Sequence, residues 1–250
     1  MIRTYSDKQR LLTSHCDMLG AWKPSAILET MQDVSGAHSQ LLGVGHDALR
    51  KEGLVWVVNR YELVMNRYPH FGDVVTLQTY PLSARHGFYT RYYAFLDESG
   101  QEYGYACGLW SLLDLQTRSM IAGPVLADRM PDNRDLPAKL KIPGMAVQVQ
   151  GDVQTASFAP QFTDMDDNLH VNNTKYLDWC VNALGIDAMQ ANDPARFVIN
   201  YQKEIRPGQR VQTQLCHSGD DFSYAGFVGD EHHFTISGKL RARSQQIQPF

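Results

Sequence analysis

The sequence predicts an α+β fold built as two tandem domains, each a central helix wrapped by an antiparallel sheet. Three observations predict it. One order of elements occurs twice, each pass opens with a helical stripe and continues in strands, and a Pro-containing polar stretch separates the passes. A chain of 250 residues, 43% of them hydrophobic, has the material for two cores of about 120 residues each.

The first pass opens at Pro24. Ile27, Leu28, Met31, Val34, His38, Leu41 and Leu42 recur near a 3.6-residue spacing, Pro24 suits a first turn and Gly43 suits an end, so 24–43 reads as a helix. Leu54 to Val64, Val74 to Tyr80, Phe88 to Leu96 and Tyr103 to Leu113 are rich in Val, Tyr, Phe and Leu and read as strands, with Asp97-Glu98-Ser99-Gly100 as a hairpin turn. From Gly123-Pro124 to Pro143-Gly144 the chain carries Pro131 and Pro137 among mixed charges, a composition that suits a loose linker or an ordered strap crossing the surface. The expected division is a first domain over 1–125, a linker over 126–146 and a second domain over 147–250.

The second pass repeats the order. A loop over 166–173 runs into a helix whose apolar stripe is Tyr176, Leu177, Cys180, Val181 and Leu184, ending before Gly185. Phe197 to Ile205, Val211 to Cys216, Phe222 to Val228 and His233 to Arg243 then read as strands. In the last, Phe234, Ile236, Gly238 and Leu240 face inward while Thr235, Ser237, Lys239 and Arg241 face outward. Arg67-Tyr68-Pro69-His70-Phe71-Gly72-Asp73 and Arg206-Pro207-Gly208-Gln209 stand at equivalent junctions, each before a Val-containing strand.

The loop Asp166-Asp167-Asn168-Leu169-His170 gathers a carboxylate, an amide and an imidazole within five residues. A carboxylate orients an imidazole, an amide donates to a developing oxyanion, and a neutral imidazole moves a proton near pH 7. The same residues are also ordinary formers of turns and helix caps, and Asn172 or Asn173 reads as the cap of the following helix. Glu204 lies before Ile205-Arg206-Pro207-Gly208 at a strand end, where an exposed acid paired with Arg206 is the default. His232-His233, beside Gly229-Asp230-Glu231, reads as a solvated hairpin tip.

The whole run Asp-x-Asn-x-His-Val-Asn-Asn-x-Lys-Tyr over 166–176 resembles the signature of the acyl-acyl-carrier-protein thioesterases, enzymes of plant plastids and bacteria that hydrolyse the thioester joining a fatty acyl chain to its carrier. A helix followed by an antiparallel sheet is their hot-dog pattern, so the resemblance implies two hot-dog domains in tandem. It implies catalytic roles for Asp166, Asn168 and His170, and for Glu204 within Tyr201-Gln202-Lys203-Glu204-Ile205. Ile205 stands where the family carries a cysteine, which favours a water activated by Glu204 over a thiol nucleophile. The backbone N–H groups near Val171 to Lys175 are candidate oxyanion donors. The approach to the first helix, Leu19 to Ser25, has no carboxylate or imidazole, so the chemistry is expected in the second half and the acyl pocket in the first, lined by Met31, Val34, Trp56 and Val58.

The resemblance further implies an acyl carrier protein as partner, met through cations such as Arg129, Arg134, Lys139, Lys141, Lys203, Arg206 and Arg210, with no cofactor or metal. Acyl-coenzyme A is the alternative donor, since both donors end in phosphopantetheine. Hot-dog hydratases carry Asp-x-Asn-Pro-x-His, one residue longer and with a Pro that 166–170 lack. A non-catalytic acyl-binding protein would have no need of all four site residues. A net charge of −4 and the lack of a basic aromatic face argue against a nucleic-acid binder. No stretch approaches the roughly 20 apolar residues of a membrane span, and Met1 to Ser6 has no apolar signal core, so a cytoplasmic protein is expected. Cys16, Cys107, Cys180 and Cys216 form no Cys-x-x-Cys pair and read as reduced packing residues. The oligomeric state is open, with a homodimer as one outcome.

Overall fold

The computed structural model describes residues 1–82 and 84–243. The first half runs β1 (Tyr5–Arg10), α1 (Pro24–Leu41), α2 (His46–Lys51), β2 (Leu54–Met65), β3 (Val74–Pro81), β4 (Phe88–Leu96) and β5 (Glu102–Asp114). The second runs β6 (Asp152–Phe158), α3 (Lys175–Leu184), α4 (Ile186–Ala191), β7 (Asn192–Tyr201), β8 (Val211–Ser218), β9 (Asp221–Val228) and β10 (Glu231–Ala242). The strands form one antiparallel sheet in the order β1-β3-β4-β5-β2-β7-β10-β9-β8-β6. Outward from the centre, each half shows its second, fifth, fourth, third and first strand. The halves meet where β2 pairs with β7, symmetrically about Glu62↔Val198, with Arg60↔Asn200 and Val64↔Arg196 on either side. This is a pair of hot-dog units sharing one sheet, the predicted architecture.

Several elements differ from expectation for physical reasons. β1 and β6 were not predicted: they are polar edge strands, and six of the seven residues of β6 are exposed, so neither carries an alternating apolar signal. The short α2 and α4 were also unseen. β7 starts at Asn192 and stops at Tyr201 instead of running to Ile205, because the N–H groups of Gln202 and Lys203 both donate to the His233 carbonyl and break the ladder. On β10, Phe234, Ile236 and Leu240 do face the core, yet outward Thr235 and Ser237 are buried too.

What covers them is the segment between the halves, which is an ordered strap across the outer face of the sheet. Its backbone N–H groups donate to side chains on successive strands: Gly144 to Glu62 Oε2 (2.6 Å), Ala146 to Asn200 Oδ1 (3.2 Å), Val147 to Ser237 Oγ (3.2 Å) and Val149 to Ser223 Oγ (2.9 Å). Leu136 and Ala138 pack on Tyr80, Tyr92 and Ala94 of the first half.

The inner face holds one continuous core, in which Ile27, Leu28 and Met31 of α1 and Tyr176, Leu177 and Cys180 of α3 lie against Tyr61, Leu63, Phe197 and Ile199. Fully burying an apolar side chain of this size stabilises the fold by about 1.5–3 kcal/mol. The two helices touch through polar groups: the Gln32 amide donates to Asn173 Oδ1, and Lys175 Nζ lies 3.6 Å from Glu29 Oε1. That contact brings α1 to the N-terminus of α3, where the candidate loop ends.

Candidate active site

The loop is shaped by its own backbone chemistry. After a 3-10 turn at Phe162–Asp164, Met165 bridges Val171 and the chain doubles back, with Asp166 N–H donating to the His170 carbonyl (2.9 Å) and Leu169 N–H to the Asp166 carbonyl (3.1 Å). Asp166 Oδ1 accepts from Asn168 N–H at 2.9 Å, an Asx turn. Leu169 has φ 62° and is exposed, a left-handed conformation that costs a non-glycine residue about 1–2 kcal/mol.

His170 comes to lie between two carboxylates. Its Nδ1 stands 3.5 Å from Asp166 Oδ1 and its Nε2 3.6 Å from Glu204 Oε1, ion pairs when the ring is protonated. A backbone bond holds the two segments in register: Val171 N–H donates to the Ile205 carbonyl at 2.8 Å, joining the residues next to His170 and Glu204. Ile205 is fully buried, so the family's cysteine position serves here as an apolar anchor. Glu204 is in the loop after β7, with its side chain 49% exposed, and Arg206 Nη2 lies 3.4 Å from its Oε2. The pairing expected of a surface acid and the approach to His170 both exist, one on each carboxylate oxygen. Asn168 is at the exposed tip of the turn, and its carboxamide makes no hydrogen bond among the described residues.

The helix N-terminus is less open than expected. Asn172 N–H donates to the Asp164 carbonyl, Thr174 N–H to Asn172 Oδ1 and Lys175 N–H to the Asn172 carbonyl, while Val171 is bound to Ile205. Asn172 therefore acts as the cap, whereas Asn173 reaches across to Gln32 and accepts the Tyr201 hydroxyl on its carbonyl at 2.9 Å. The Asn168 carboxamide and the Asn173 N–H are donors here that make no hydrogen bond among the described residues.

Tyr176 is the neighbour that periodicity concealed. Read as a member of an apolar stripe, it packs edge-on to Tyr201 and Phe234 while its hydroxyl lies beside Ile205, Asp166 and Glu204. Burial pushes the phenol far above its usual range; the Ile205 N–H opposes that and the two carboxylates add to it, so the hydroxyl keeps its proton. Its place at the end of the signature run was the available signal.

His233 overturns the reading of a solvated hairpin tip. Its imidazole is 1% exposed beneath Lys203 and Glu204, neither ring nitrogen has a hydrogen bond of normal geometry, and burial holds it below the usual histidine range. His232 stacks on Phe227 and meets the Thr235 hydroxyl at 2.9 Å.

The residues expected to line an acyl pocket divide between two clusters. Met31 and Val34 are buried on α1 and Val58 packs against the same core. Trp56 belongs to a separate cluster beneath α2, where its Nε1 donates to the Val44 carbonyl at 2.9 Å. The approach to α1 also carries a carboxylate after all. Cys16 bridges Trp22, Asp17 Oδ1 accepts from Leu19 and Ala21 N–H groups at 2.9 and 3.0 Å, and Trp22 N–H donates to the Pro69 carbonyl. Asp17 thus corresponds to Asp166, Gly20 (φ 75°) to Leu169 and Ala21 to His170, so the imidazole, the Asn168 amide and the Asp167 carboxylate are peculiar to the second half.

The protein is thus a tandem hot-dog protein with an acid-flanked imidazole at the N-terminus of its second central helix. The family models for the acyl-ACP thioesterase N-terminal and C-terminal domains match residues 3–125 and 148–246, and this chain belongs to that family. It is 27% identical over 201 residues to a chloroplastic palmitoyl-acyl carrier protein thioesterase of Gossypium hirsutum (76% of this chain, 48% of that protein). It is 25% identical over 243 residues to a chloroplastic dodecanoyl-[acyl-carrier-protein] hydrolase of Cinnamomum camphora (88% and 61%), so it spans about half to three-fifths of these relatives. An acyl-ACP thioesterase from Bacteroides thetaiotaomicron has the same fold, with a TM-score of 0.86 at 21% identity over 95% of this chain and 98% of that one.

Proposed function

We propose that this protein hydrolyses fatty acyl-[acyl carrier protein] to free fatty acid and carrier, by a water that Glu204 activates. The observation that carries the reading is the chain Asp166–His170–Glu204, in a member of the acyl-ACP thioesterase family, with Glu204 open to water. Glu204 takes a proton from the water as its oxygen attacks the thioester carbon, and the Asn168 amide donates to the oxyanion. Collapse of the intermediate breaks the C–S bond. His170, protonated and oriented by Asp166, gives its proton to the departing thiolate and is recharged from Glu204. Residues 1–125 hold the acyl chain in this reading, 126–146 the strap, and 147–250 the reacting groups.

The thiols argue for water over a cysteine nucleophile. Burial pushes Cys107 up to about 12 and Cys180 higher still, and burial followed by the Asp17 carboxylate raises Cys16. The test is release of free thiol from acyl-carrier and acyl-coenzyme A substrates of matched chain length. Turnover of the carrier series is expected to exceed that of the coenzyme A series; the reverse preference would move the donor to coenzyme A, and no release from either would end the reading.

A further inference from the structure

The buried face of α1 changes character along its length. Ile27, Met31 and Val34 are apolar, and then Ser35 and His38 follow on the same face, both buried. Opposite them Arg91 points inward from β4, in line with Tyr89, Tyr93 and Phe95, and is 6% exposed. Its Nη1 donates to His38 Nδ1 at 3.1 Å and to Thr79 Oγ1 at 3.5 Å, and its Nη2 donates to Ser39 Oγ at 3.2 Å. No carboxylate among the described residues comes within 4.0 Å of the guanidinium, whereas buried charges are ordinarily paired.

His38 does not neutralise it. With Nε2 at 3.1 Å from the Ile2 carbonyl and Nδ1 facing Arg91, the ring is fixed as a neutral tautomer, and burial and the Arg91 cation both hold it below its usual range. The other polar groups nearby are uncharged. Tyr61 and Tyr93 hydroxyls are fully buried without a hydrogen bond of normal geometry, and so is Trp110 Nε1. They converge because Gly108 pairs with both Arg91 and Tyr61; a Cβ there would stand 2.7 Å from the Tyr61 ring and 2.9 Å from Trp110 Nε1. Among the described residues the cluster holds a cation and uncharged polar groups but no anionic acceptor.

It also lies at a defined depth. Gln32, bonded to Asn173 beside the candidate loop, and His38, bonded to Arg91, are six residues apart on α1, about 9 Å at 1.5 Å per residue. Resting on the proposed function and its placement of the acyl chain in the first half, we propose that Arg91, with Tyr61, Tyr93 and Trp110, is the floor of the acyl chamber and selects the far end of the chain. A methyl terminus reaching it would leave the buried guanidinium without an anionic partner. An acyl chain ending in a carboxylate would supply the missing acceptor.

The test compares methyl-terminated and ω-carboxyl acyl-carrier substrates of equal length over a length series, reading the ratio of their kcat/KM values. In the wild type the ratio is expected to rise at least tenfold, in favour of the carboxylate, at the length that reaches Arg91. Arg91→Met should abolish that maximum and Arg91→Lys should keep part of it. A ratio that does not change with length, or a maximum that survives Arg91→Met, overturns the inference. Should Arg91→Met fail to fold, the wild-type series and Arg91→Lys decide. Should no acyl-carrier substrate be turned over, the proposed function fails, and the inference is judged by calorimetric titration of a free long-chain dicarboxylate into wild type and the Arg91 variants: equal affinities overturn it.

Discussion

At the scale of single residues, the proposed mechanism has His170 and Glu204 carry protons while Asp166 and Tyr176 position them, and substitution separates the two roles. His170→Ala and Glu204→Ala should each lower kcat by about a hundredfold or more with the melting temperature nearly unchanged, since both side chains are partly exposed to solvent. A Glu204→Ala enzyme with a wild-type rate would remove that residue from the chemistry. Tyr176→Phe keeps the ring packing and deletes only the hydroxyl beside Asp166 and Glu204. Losing one such interaction, about 1 kcal/mol, predicts a kcat lower by roughly fivefold, checked by steady-state rates on a folded variant. Iodoacetamide should leave activity intact, because the raised thiol pKa values of Cys16, Cys107 and Cys180 leave little thiolate near neutrality; stoichiometric inactivation mapped to one cysteine would contradict the water mechanism.

At the scale of elements, the two loops before α1 and α3 are one structure with different side chains. Asp17 and Asp166 each accept a backbone N–H two residues on, but only Asp166 has an imidazole beside it. Asp17→Ala should therefore cost about 1 kcal/mol of stability and leave kcat unaltered, whereas Asp166→Ala should lower both, a contrast read by chemical denaturation alongside turnover. The β4–β5 hairpin offers a pH test. Asp97 accepts from the Ser99 hydroxyl and from the Ser99 and Gln101 N–H groups and pairs with Arg67, which together draw its carboxyl from 3.8 to about 2. Its folded pKa is depressed, so the stabilisation is present above 3.8 and is lost as pH falls toward 2. The melting difference between wild type and Asp97→Asn should shrink across that window; a constant difference would show that ionisation of Asp97 is irrelevant to the turn.

The same elements show what sequence patterns can and cannot reveal. Asp166, Asn168 and His170 were legible because one short loop carries them. Glu204 was not legible from its own surroundings and came through resemblance, since its partner His170 is reached only across a backbone bond between distant segments. The likeness of Asp17 to Asp166 stayed hidden because turn geometry, not composition, is what the loops share. His233 was misread because its polar neighbours suggest a tip, while the strand break that buries it depends on Gln202 and Lys203 sharing its carbonyl.

At the scale of the whole molecule, the strap and the β2–β7 pair join the halves, and Glu62 serves both. Its carboxylate is buried, accepting Arg196 Nε at 2.8 Å and Gly144 N–H at 2.6 Å. Glu62→Ala removes both acceptors, but Arg196 is half exposed and can turn to water, so the loss should be about 2 kcal/mol, below that of a wholly buried pair. Limited proteolysis should then cut within 139–150 faster than in wild type. An unchanged denaturation midpoint would assign the holding of the strap to Asn200, Ser223 and Ser237 instead.

The strap also turns an encounter between two units into a property of one molecule. Because 115–151 ties β5 to β6, the half that carries Asn173 meets the half that carries Gln32 at an effective concentration fixed by the tether, not by how much protein is present. Specific activity should accordingly hold constant on dilution to nanomolar enzyme. After a single cut in the strap it should become sensitive to dilution, as the two fragments regain the freedom to part.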